Sequence, residues 1–182
     1  MSKYEVVEKF VSINGEGTKA GQLAVFIRFK GCNLNCKYCD TKWANEQETP
    51  SQPMTEKEIL DYVLSTGVKN VTLTGGEPLL REGIENVITV LAENNLNIEI
   101  ETNGSVYLDK IRKLHKENVT FTMDYKLSCS GMEAAMNLDN FNILSSNDTV
   151  KFVAGCREDL IKAKQIIEKY NLYGKCNLYI SP

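Results

Sequence analysis

The sequence has 182 residues, of which 42% are hydrophobic and 25% charged, with a formal net charge of −3. This length and composition predict one domain spanning residues 1–182. No apolar run approaches the roughly 18 residues that cross a bilayer, which argues against a membrane-spanning protein. The amino terminus lacks the basic and apolar regions of a secretory signal, so we expect a cytoplasmic location. The acidic charge balance argues against a nucleic-acid-binding surface and favours a small-molecule ligand.

Short β-rich runs alternate with longer helical patterns along the chain. The segment YEVVEKFVSI at 4–13 predicts an extra edge strand, and the first strand of the main series follows at 23–30. Five more strands are predicted at 70–75, 97–102, 119–124, 149–154 and 176–181. Because helices separate these strands, right-handed crossovers are expected. The chain therefore predicts an α/β fold with an open, partial βα barrel of six parallel strands.

Several segments between the strands have helical patterns. Thr55 and Glu58 form a capping box, and Gly67 suits the end of the helix that they begin. The apolar spacing predicts helices at 55–67, 82–95 and 158–171, and more weakly at 106–117 and 131–138. The stretch TPSQPM at 49–54 contains two prolines and predicts a loop.

The six cysteines fall into two groups. Cys32, Cys36 and Cys39 lie on one predicted loop after the first parallel strand, at C-x3-C-x2-C spacing. A structural zinc site normally has four protein ligands, whereas three thiolates suit an iron–sulfur cluster with one open position. Zinc and three unligated thiols remain alternatives for this loop. The scattered cysteines are predicted to be small buried hydrophobic residues: Cys129, Cys156 and Cys176.

The cysteine spacing, with Tyr38 before the last cysteine, resembles the motif of the radical S-adenosylmethionine superfamily. The resemblance implies that Cys32, Cys36 and Cys39 hold a 4Fe-4S cluster. The open iron would bind S-adenosylmethionine, and the reduced cluster would cleave this cofactor to a 5′-deoxyadenosyl radical. The segments TGGEP, ETNG and DYKLS end later predicted strands, where a barrel site is built. The implied cofactor-binding residues are Tyr38, Gly75, Gly76, Glu77, Glu101, Thr102, Asn103, Lys126 and Ser128.

Simpler structural roles exist for these residues. The Gly75-Gly76 pair also suits an ordinary turn. The 101–103 segment also suits a loop that leads into a helix cap. Lys126 and Ser128 also suit a surface lysine and a capping serine.

A closer resemblance rests on the segment Ser12–Gly21, on Arg28, and on the Cys-Asp-Thr sequence that ends the cluster motif. These features are similar to those of the queuosine-pathway synthases that form 7-carboxy-7-deazaguanine. The resemblance implies the ring contraction of 6-carboxy-5,6,7,8-tetrahydropterin with loss of ammonia, and regeneration of S-adenosylmethionine. The implied substrate-binding residues are Ser12, Ile13, Asn14, Gly15, Glu16, Gly17, Arg28, Thr74, Gly75 and Pro182.

Residue chemistry suggests individual roles within this implied site. Arg28 offers a planar two-point fork for the substrate carboxylate, and a surface salt bridge is its alternative role. Glu16 can accept hydrogen bonds from the pterin. Thr41 resembles the family residue that ligates Mg2+ beside the substrate, and a capping hydroxyl is its alternative role. Asp40 suits either a role in this site or an ion pair.

The family resemblance also implies a homodimer and a flavodoxin or ferredoxin as the electron donor. Members usually continue beyond the last strand with a segment that contributes to the substrate pocket, and Pro182 lies where those contacts are expected. The sequence differs from the family pattern in NGEG for the commoner QGEG and in KLSCSG for a lysine-proline-serine motif. Two other functions stay open: an activase that forms a glycyl radical on a partner enzyme, and a non-enzymatic zinc or electron-transfer module.

Overall fold

The computed structural model describes residues 2–15, 17–114 and 117–182. Within these residues, eight strands form one sheet in the order β3-β1-β2-β4-β5-β6-β7-β8. The strands are β1 (Tyr4–Ile13), β2 (Leu23–Phe29), β3 (Gln52–Met54), β4 (Asn70–Gly75), β5 (Asn97–Thr102), β6 (Val119–Tyr125), β7 (Thr149–Val153) and β8 (Asn177–Ser181). The α-helices are α1 (Glu56–Thr66), α2 (Ile84–Glu93), α3 (Asp109–Leu114), α4 (Asn140–Ile143) and α5 (Arg157–Lys169).

Six strands are parallel and lie side by side in chain order: β2, β4, β5, β6, β7 and β8. The sheet is open, since no pairing in the described part of the chain joins β3 to β8. The predicted open α/β barrel of six parallel strands is therefore confirmed. The assignment of residues 1–182 to one domain stays a prediction.

The outer edge of the sheet differs from the sequence-based prediction. Segment 4–13 forms the antiparallel strand β1, but residues 52–54, which were predicted to be a loop, pair outside it as β3. Pro53 cannot donate a backbone hydrogen bond, and an edge strand tolerates this because one side needs no partner. The short strand forms because it pairs with Tyr4–Val6 of β1.

Three helices confirm the predictions for 55–67, 82–95 and 158–171. At α1 the capping box is present, because Thr55 accepts a hydrogen bond from the Glu58 backbone and the Glu58 side chain accepts one from Thr55. The prediction of a helix over 131–138 was wrong, because only a 3-10 turn at Glu133–Ala135 forms there. Gly131 begins this segment with a positive φ of 77°, which a right-handed helix does not accommodate.

Alternation along the strands separates a buried core from the concave face of the sheet. In β6, Phe121 and Met123 are buried in the core, whereas Thr122 and Asp124 point to the opposite face. The register places polar residues of neighbouring strands side by side on this concave face, including Asp124 beside Lys151. Among the described residues, no helix combines the length and apolar character needed to cross a membrane.

A buried carboxylate ties β6 to the turn that precedes β7. Asp148 is fully buried and accepts two hydrogen bonds from Nη2 of Arg112, at 2.6 and 2.7 Å. It also accepts hydrogen bonds from the backbone N–H of Phe121 and from the backbone and hydroxyl of Ser145. This carboxylate therefore compensates a half-buried guanidinium and two backbone donors at once.

The Asp148→Ala variant is expected to lower the free energy of unfolding by about 3–5 kcal/mol, because it removes the buried carboxylate that accepts from Nη2 of Arg112 and from two backbone donors. Urea denaturation measures the change. Asp61→Ala is the matched control, since Asp61 pairs with Lys57 on an exposed helix face and should change stability by less than about 0.5 kcal/mol. Equal losses of unfolding free energy in the two variants would show that the buried Asp148 network stabilises the protein no more than an exposed ion pair does.

Candidate active site

The cysteine loop leaves the carboxyl end of β2 and lies against the ends of the neighbouring strands. Cys32, Cys36 and Cys39 all line a cavity of about 330 Å³ at this end of the barrel. The loop is held by its backbone, since the Lys37 N–H donates to the carbonyl of Ser130 at 3.0 Å. The three predicted ligands therefore share one cavity with the ends of the parallel strands.

The two glycines after β4 allow that strand to pack directly against the start of the cysteine loop. A Cβ atom on Gly75 would lie 2.2 Å from the carbonyl oxygen of Phe29, and one on Gly76 would lie 2.2 Å from that of Gly31. Gly75 also has a φ of 137°, which side chains rarely allow. The pair lines the cavity, so its small size serves both the loop contact and access to the cavity.

Glu77 lies behind the cavity wall. It is fully buried and is absent from the residues that line the cavity. Its carboxylate accepts hydrogen bonds from the Thr102 hydroxyl at 3.0 Å, from the backbone of Asn103 at 2.7 Å and from that of Leu79 at 3.0 Å. Burial raises the pKa of Glu77 to about 7, although these donors favour the ionised form. Glu77 therefore positions Thr102 and Asn103, which do line the cavity.

Asn103 contacts one of the predicted cluster ligands. Its Nδ2 lies 3.5 Å from Sγ of Cys32 and donates to Oδ1 of Asn33 at 3.1 Å. The backbone N–H of Leu34 also donates to Sγ of Cys32, at 3.4 Å. Hydrogen bonds to a ligand sulfur stabilise the thiolate and tune the potential of a bound cluster.

A charged pair from β6 and the following loop faces the cysteines. Nζ of Lys126 lies 2.8 Å from Oδ2 of Asp124. Desolvation alone would lower the pKa of Lys126, but Asp124 and the Cys36 and Cys39 thiols outweigh it and the pKa is raised. Burial raises the pKa of the Cys36 thiol, and the charge of Lys126 opposes this shift. Lys126 therefore remains a cation beside the thiols, and its charge favours the ionised form of Cys36.

Arg28, Thr74 and Glu101 form the polar wall on the other side of the cavity. Nε of Arg28 donates to Glu8 at 3.0 Å, and the described residues provide no partner for its two Nη groups. The Thr74 hydroxyl donates to Glu101 at 2.6 Å. Arg28 is thus anchored on one side and presents a cation to the cavity on the other.

Tyr38 and Thr41 also line the cavity. Burial and the nearby Asp124 raise the pKa of Tyr38 to about 12, and its hydroxyl donates to the carbonyl of Val153 at 3.3 Å. The Thr41 hydroxyl donates to Asp40 at 3.1 Å. Tyr38 therefore stays neutral, and the side-chain oxygens of Thr41 and Asp40 lie next to each other.

The remaining predicted site residues lie away from this cavity. Register pairs Ile13 with Leu23, so the predicted substrate loop lies at the opposite end of β2 from the cysteines. Leu23 precedes Arg28 by five residues along β2, so at roughly 3.3 Å per residue the loop begins about 16 Å from Arg28. This group comprises Ser12, Ile13, Asn14, Gly15 and Gly17. Glu16 lies outside the described residues. Ser128 is exposed and bonds to Glu133, and Pro182 is exposed just beyond β8.

Several cavity residues were not identified from the sequence: Leu34, Asn45, Thr122, Asp124, Lys151 and Val153. Oδ1 of Asn45 and Oδ1 of Asp124 are buried acceptors that find no hydrogen-bond partner among the described residues. The alternation of Thr122 and Asp124 with apolar residues could have revealed the β6 contribution, because alternate residues share one face of a strand. The fold alone brings the other four to the cavity.

The donor set fits an iron–sulfur cluster with S-adenosylmethionine. Three thiols face a cavity without a fourth cysteine or histidine in its described wall, which leaves one position for a cofactor. Their Sγ atoms do not all lie within 4.8 Å of one another, whereas zinc bound at about 2.3 Å holds sulfurs roughly 3.8 Å apart. The unpartnered oxygens of Asn45 and Asp124 suit the amino groups of a polar ligand.

Comparison with known proteins agrees with this chemistry. The family model of the Radical SAM superfamily matches residues 26–126, more than half of the chain. The chain therefore belongs to the radical S-adenosylmethionine superfamily. A 7-carboxy-7-deazaguanine synthase from Clostridium acetobutylicum is 59% identical over 180 residues, which cover 98% of this chain and 81% of the relative. Within the superfamily, the chain belongs to the family of 7-carboxy-7-deazaguanine synthases.

Two further comparisons support these assignments. A 7-carboxy-7-deazaguanine synthase from Methanospirillum hungatei is 34% identical over 182 residues, which cover 100% of this chain and 73% of the relative. The crystal structure of QueE from Escherichia coli superposes with a TM-score of 0.73 at 23% identity, covering 91% of this chain and 78% of that chain. The structural likeness supports the fold.

Proposed function

We propose that this chain is a cytoplasmic lyase that contracts the ring of 6-carboxy-5,6,7,8-tetrahydropterin to 7-carboxy-7-deazaguanine, with loss of ammonia, in queuosine biosynthesis. The observation that carries the proposal is the shared cavity of the three cysteines and Arg28, in a chain of this family. A radical source and a partner for a substrate carboxylate therefore face the same space.

Cys32, Cys36 and Cys39 would hold the 4Fe-4S cluster. When bound, the cluster and S-adenosylmethionine supply the radical that abstracts a hydrogen atom from the substrate. Lys126 offers a cation for the carboxylate of the cofactor, and the unpartnered Oδ1 of Asp124 offers an acceptor for an amino group. These two groups would orient the cofactor within the cavity.

Arg28 would bind the substrate carboxylate through its Nη groups while Glu8 holds Nε. Below it on the concave face, Thr72 donates a long hydrogen bond of 3.5 Å to Oδ1 of Asn14. Nδ2 of Asn14 is buried and has no partner among the described residues, so a polar ring edge that reached it would satisfy this donor. The unpartnered donor of Asn14 supports a substrate site that extends from Arg28 toward the 12–17 segment.

The proposal includes a magnesium ion at Thr41, where the hydroxyl and the carboxylate of Asp40 offer the oxygen ligands that the ion prefers. It also includes a homodimer and a flavodoxin or ferredoxin as the electron donor, both of which rest on family membership.

An anaerobic assay tests the function. Cluster-loaded protein is mixed with reductant, S-adenosylmethionine, magnesium and 6-carboxytetrahydropterin, and 7-carboxy-7-deazaguanine is measured by mass spectrometry. We expect more than one product molecule per 5′-deoxyadenosine released, because the cofactor is regenerated. Release of 5′-deoxyadenosine without any product would refute the substrate assignment. The absence of both species from a cluster-loaded sample would refute the enzymatic assignment.

The Arg28→Ala variant is expected to raise the KM for the carboxypterin about 10- to 100-fold, because a charge-assisted hydrogen bond to the substrate is lost. Uncoupled cleavage of S-adenosylmethionine should persist, since the cluster ligands are untouched. Glu8→Gln is the matched control that removes the ion pair but keeps the guanidinium, and its KM should change less than threefold. An unchanged KM in Arg28→Ala would remove Arg28 from the substrate site.

A further inference from the structure

A second group of thiols lies outside the active-site cavity. Cys129 follows β6 and Cys156 precedes α5, and their Sγ atoms are 2.7 Å apart. Both side chains are partly exposed, and both cysteines are free thiols in this structure. The two sulfurs are in direct contact, although 27 positions separate the residues along the chain.

The backbone around the two thiols is held by one buried carboxylate. Asp159 is fully buried and accepts hydrogen bonds from the backbone N–H of Cys129 at 3.2 Å and of Gly155 at 3.0 Å. Gly155 also packs closely, since a Cβ there would lie 3.2 Å from Cβ of Cys129. Asp159 thus joins the loop after β6 to the loop before α5 and keeps the two sulfurs together.

We propose that Cys129 and Cys156 form a reversible disulfide in response to small-molecule disulfides. In this reaction one thiolate attacks the small disulfide, and a thiolate is released from it. The second cysteine then displaces the other half from the mixed disulfide. Two protein thiols lose two electrons and two protons, and the small disulfide gains them as two thiols, so the exchange is balanced.

The alternative of a metal site fits this geometry less well. Cys129, Cys156 and Asp159 form a compact group of three ligands, but thiolates on zinc lie roughly 3.8 Å apart. Both oxygens of Asp159 already accept backbone hydrogen bonds. Hydrogen bonding to Cys156 and Asp159 raises the pKa of Cys129 to about 12, so its thiolate is not stabilised. A dithiol whose reduced form lacks such stabilisation favours a persistent disulfide.

The pair is connected to the cluster loop. Ser130, next to Cys129, accepts the hydrogen bond from Lys37 between two predicted cluster ligands. On the other side, the Tyr38 hydroxyl donates to Val153, close to Cys156. A disulfide would therefore fix both segments on which the cluster loop rests.

Peptide mapping tests the proposal on cluster-loaded protein. The protein is equilibrated anaerobically over a range of reduced to oxidised glutathione, quenched in acid, alkylated and digested. We expect a cross-linked peptide joining Cys129 to Cys156, with about four irons per chain retained. The oxidised form should have a Tm higher by roughly 5–10 °C, because the cross-link restrains the unfolded chain.

Matched variants make the result specific. Cys129→Ser and Cys156→Ser should each abolish the cross-link and the rise in Tm, whereas Cys176→Ser should leave both unchanged. Two alkylated thiols at the most oxidising ratio, or glutathione adducts without the cross-link, would overturn the proposal. So would a metal ion in the purified protein that Cys129→Ser removes. Cofactor cleavage measured on the same samples separates this outcome from a failure of the proposed enzymatic function.

Discussion

Cys36→Ala is expected to lower bound iron from about four atoms per chain to a small fraction of that, and to reduce product formation at least about 1000-fold. Cys36 is the most buried of the three cysteines in the cavity, and alanine offers no ligand to iron. Iron analysis and the anaerobic product assay measure the two effects, and circular dichroism checks that the variant is folded.

Cys176→Ala is the control for this substitution. Cys176 packs against the hydrophobic core and does not line the active-site cavity, so its loss should leave the iron content unchanged. Iron that stayed bound in Cys36→Ala, with cofactor cleavage at the original rate, would show that the cluster ligands are assigned incorrectly.

Glu77→Gln is expected to reduce activity about 10- to 100-fold and to change the pH dependence of stability. A glutamine amide at this position places an N–H₂ group against backbone donors that now bond to a carboxylate, which displaces Asn103. Since Asn103 contacts Cys32, the displacement reaches the cluster ligands. The activity assay and iron content separate altered chemistry from loss of the cluster.

The pH effect follows from the raised pKa of Glu77, about 7 against 4.5 for a free glutamate. The contribution of Glu77 to stability is fully present below pH 4.5 and is lost as the pH rises through about 7. Relative to Glu77→Gln, the native protein should therefore lose up to about 3 kcal/mol between pH 5 and pH 8 in urea denaturation.

Glu58→Gln is the matched control for this pH dependence. The hydrogen bonds from Thr55 lower the pKa of Glu58, so its contribution is lost only as the pH falls below its ordinary range. The stability difference caused by Glu58→Gln should therefore be constant between pH 5 and pH 8. The stability of the native protein minus that of Glu77→Gln should fall as the pH rises. An increase in this difference between pH 5 and pH 8 would contradict the raised pKa of Glu77.

The sequence by itself determined the features that depend on neighbours along the chain. The spacing of Cys32, Cys36 and Cys39 predicted an iron–sulfur loop typical of the superfamily, and the capping box at Thr55 located α1. The alternation of strands and helices predicted the parallel sheet, because each crossover is a local unit. These patterns involve residues a few positions apart, so their physical meaning is present before the chain folds.

Only the tertiary structure decided the features that depend on distant partners. Strand β3 exists because β1 offers it a partner, and Lys151 reaches the cavity because β7 lies beside β6. Glu77 turns away from the cavity because backbone donors from the end of β5 surround it. Cys129 and Cys156 meet because the ends of two parallel strands lie at the same edge of the sheet. Sheet register and strand order place these groups, and they arise from long-range packing that no local pattern encodes.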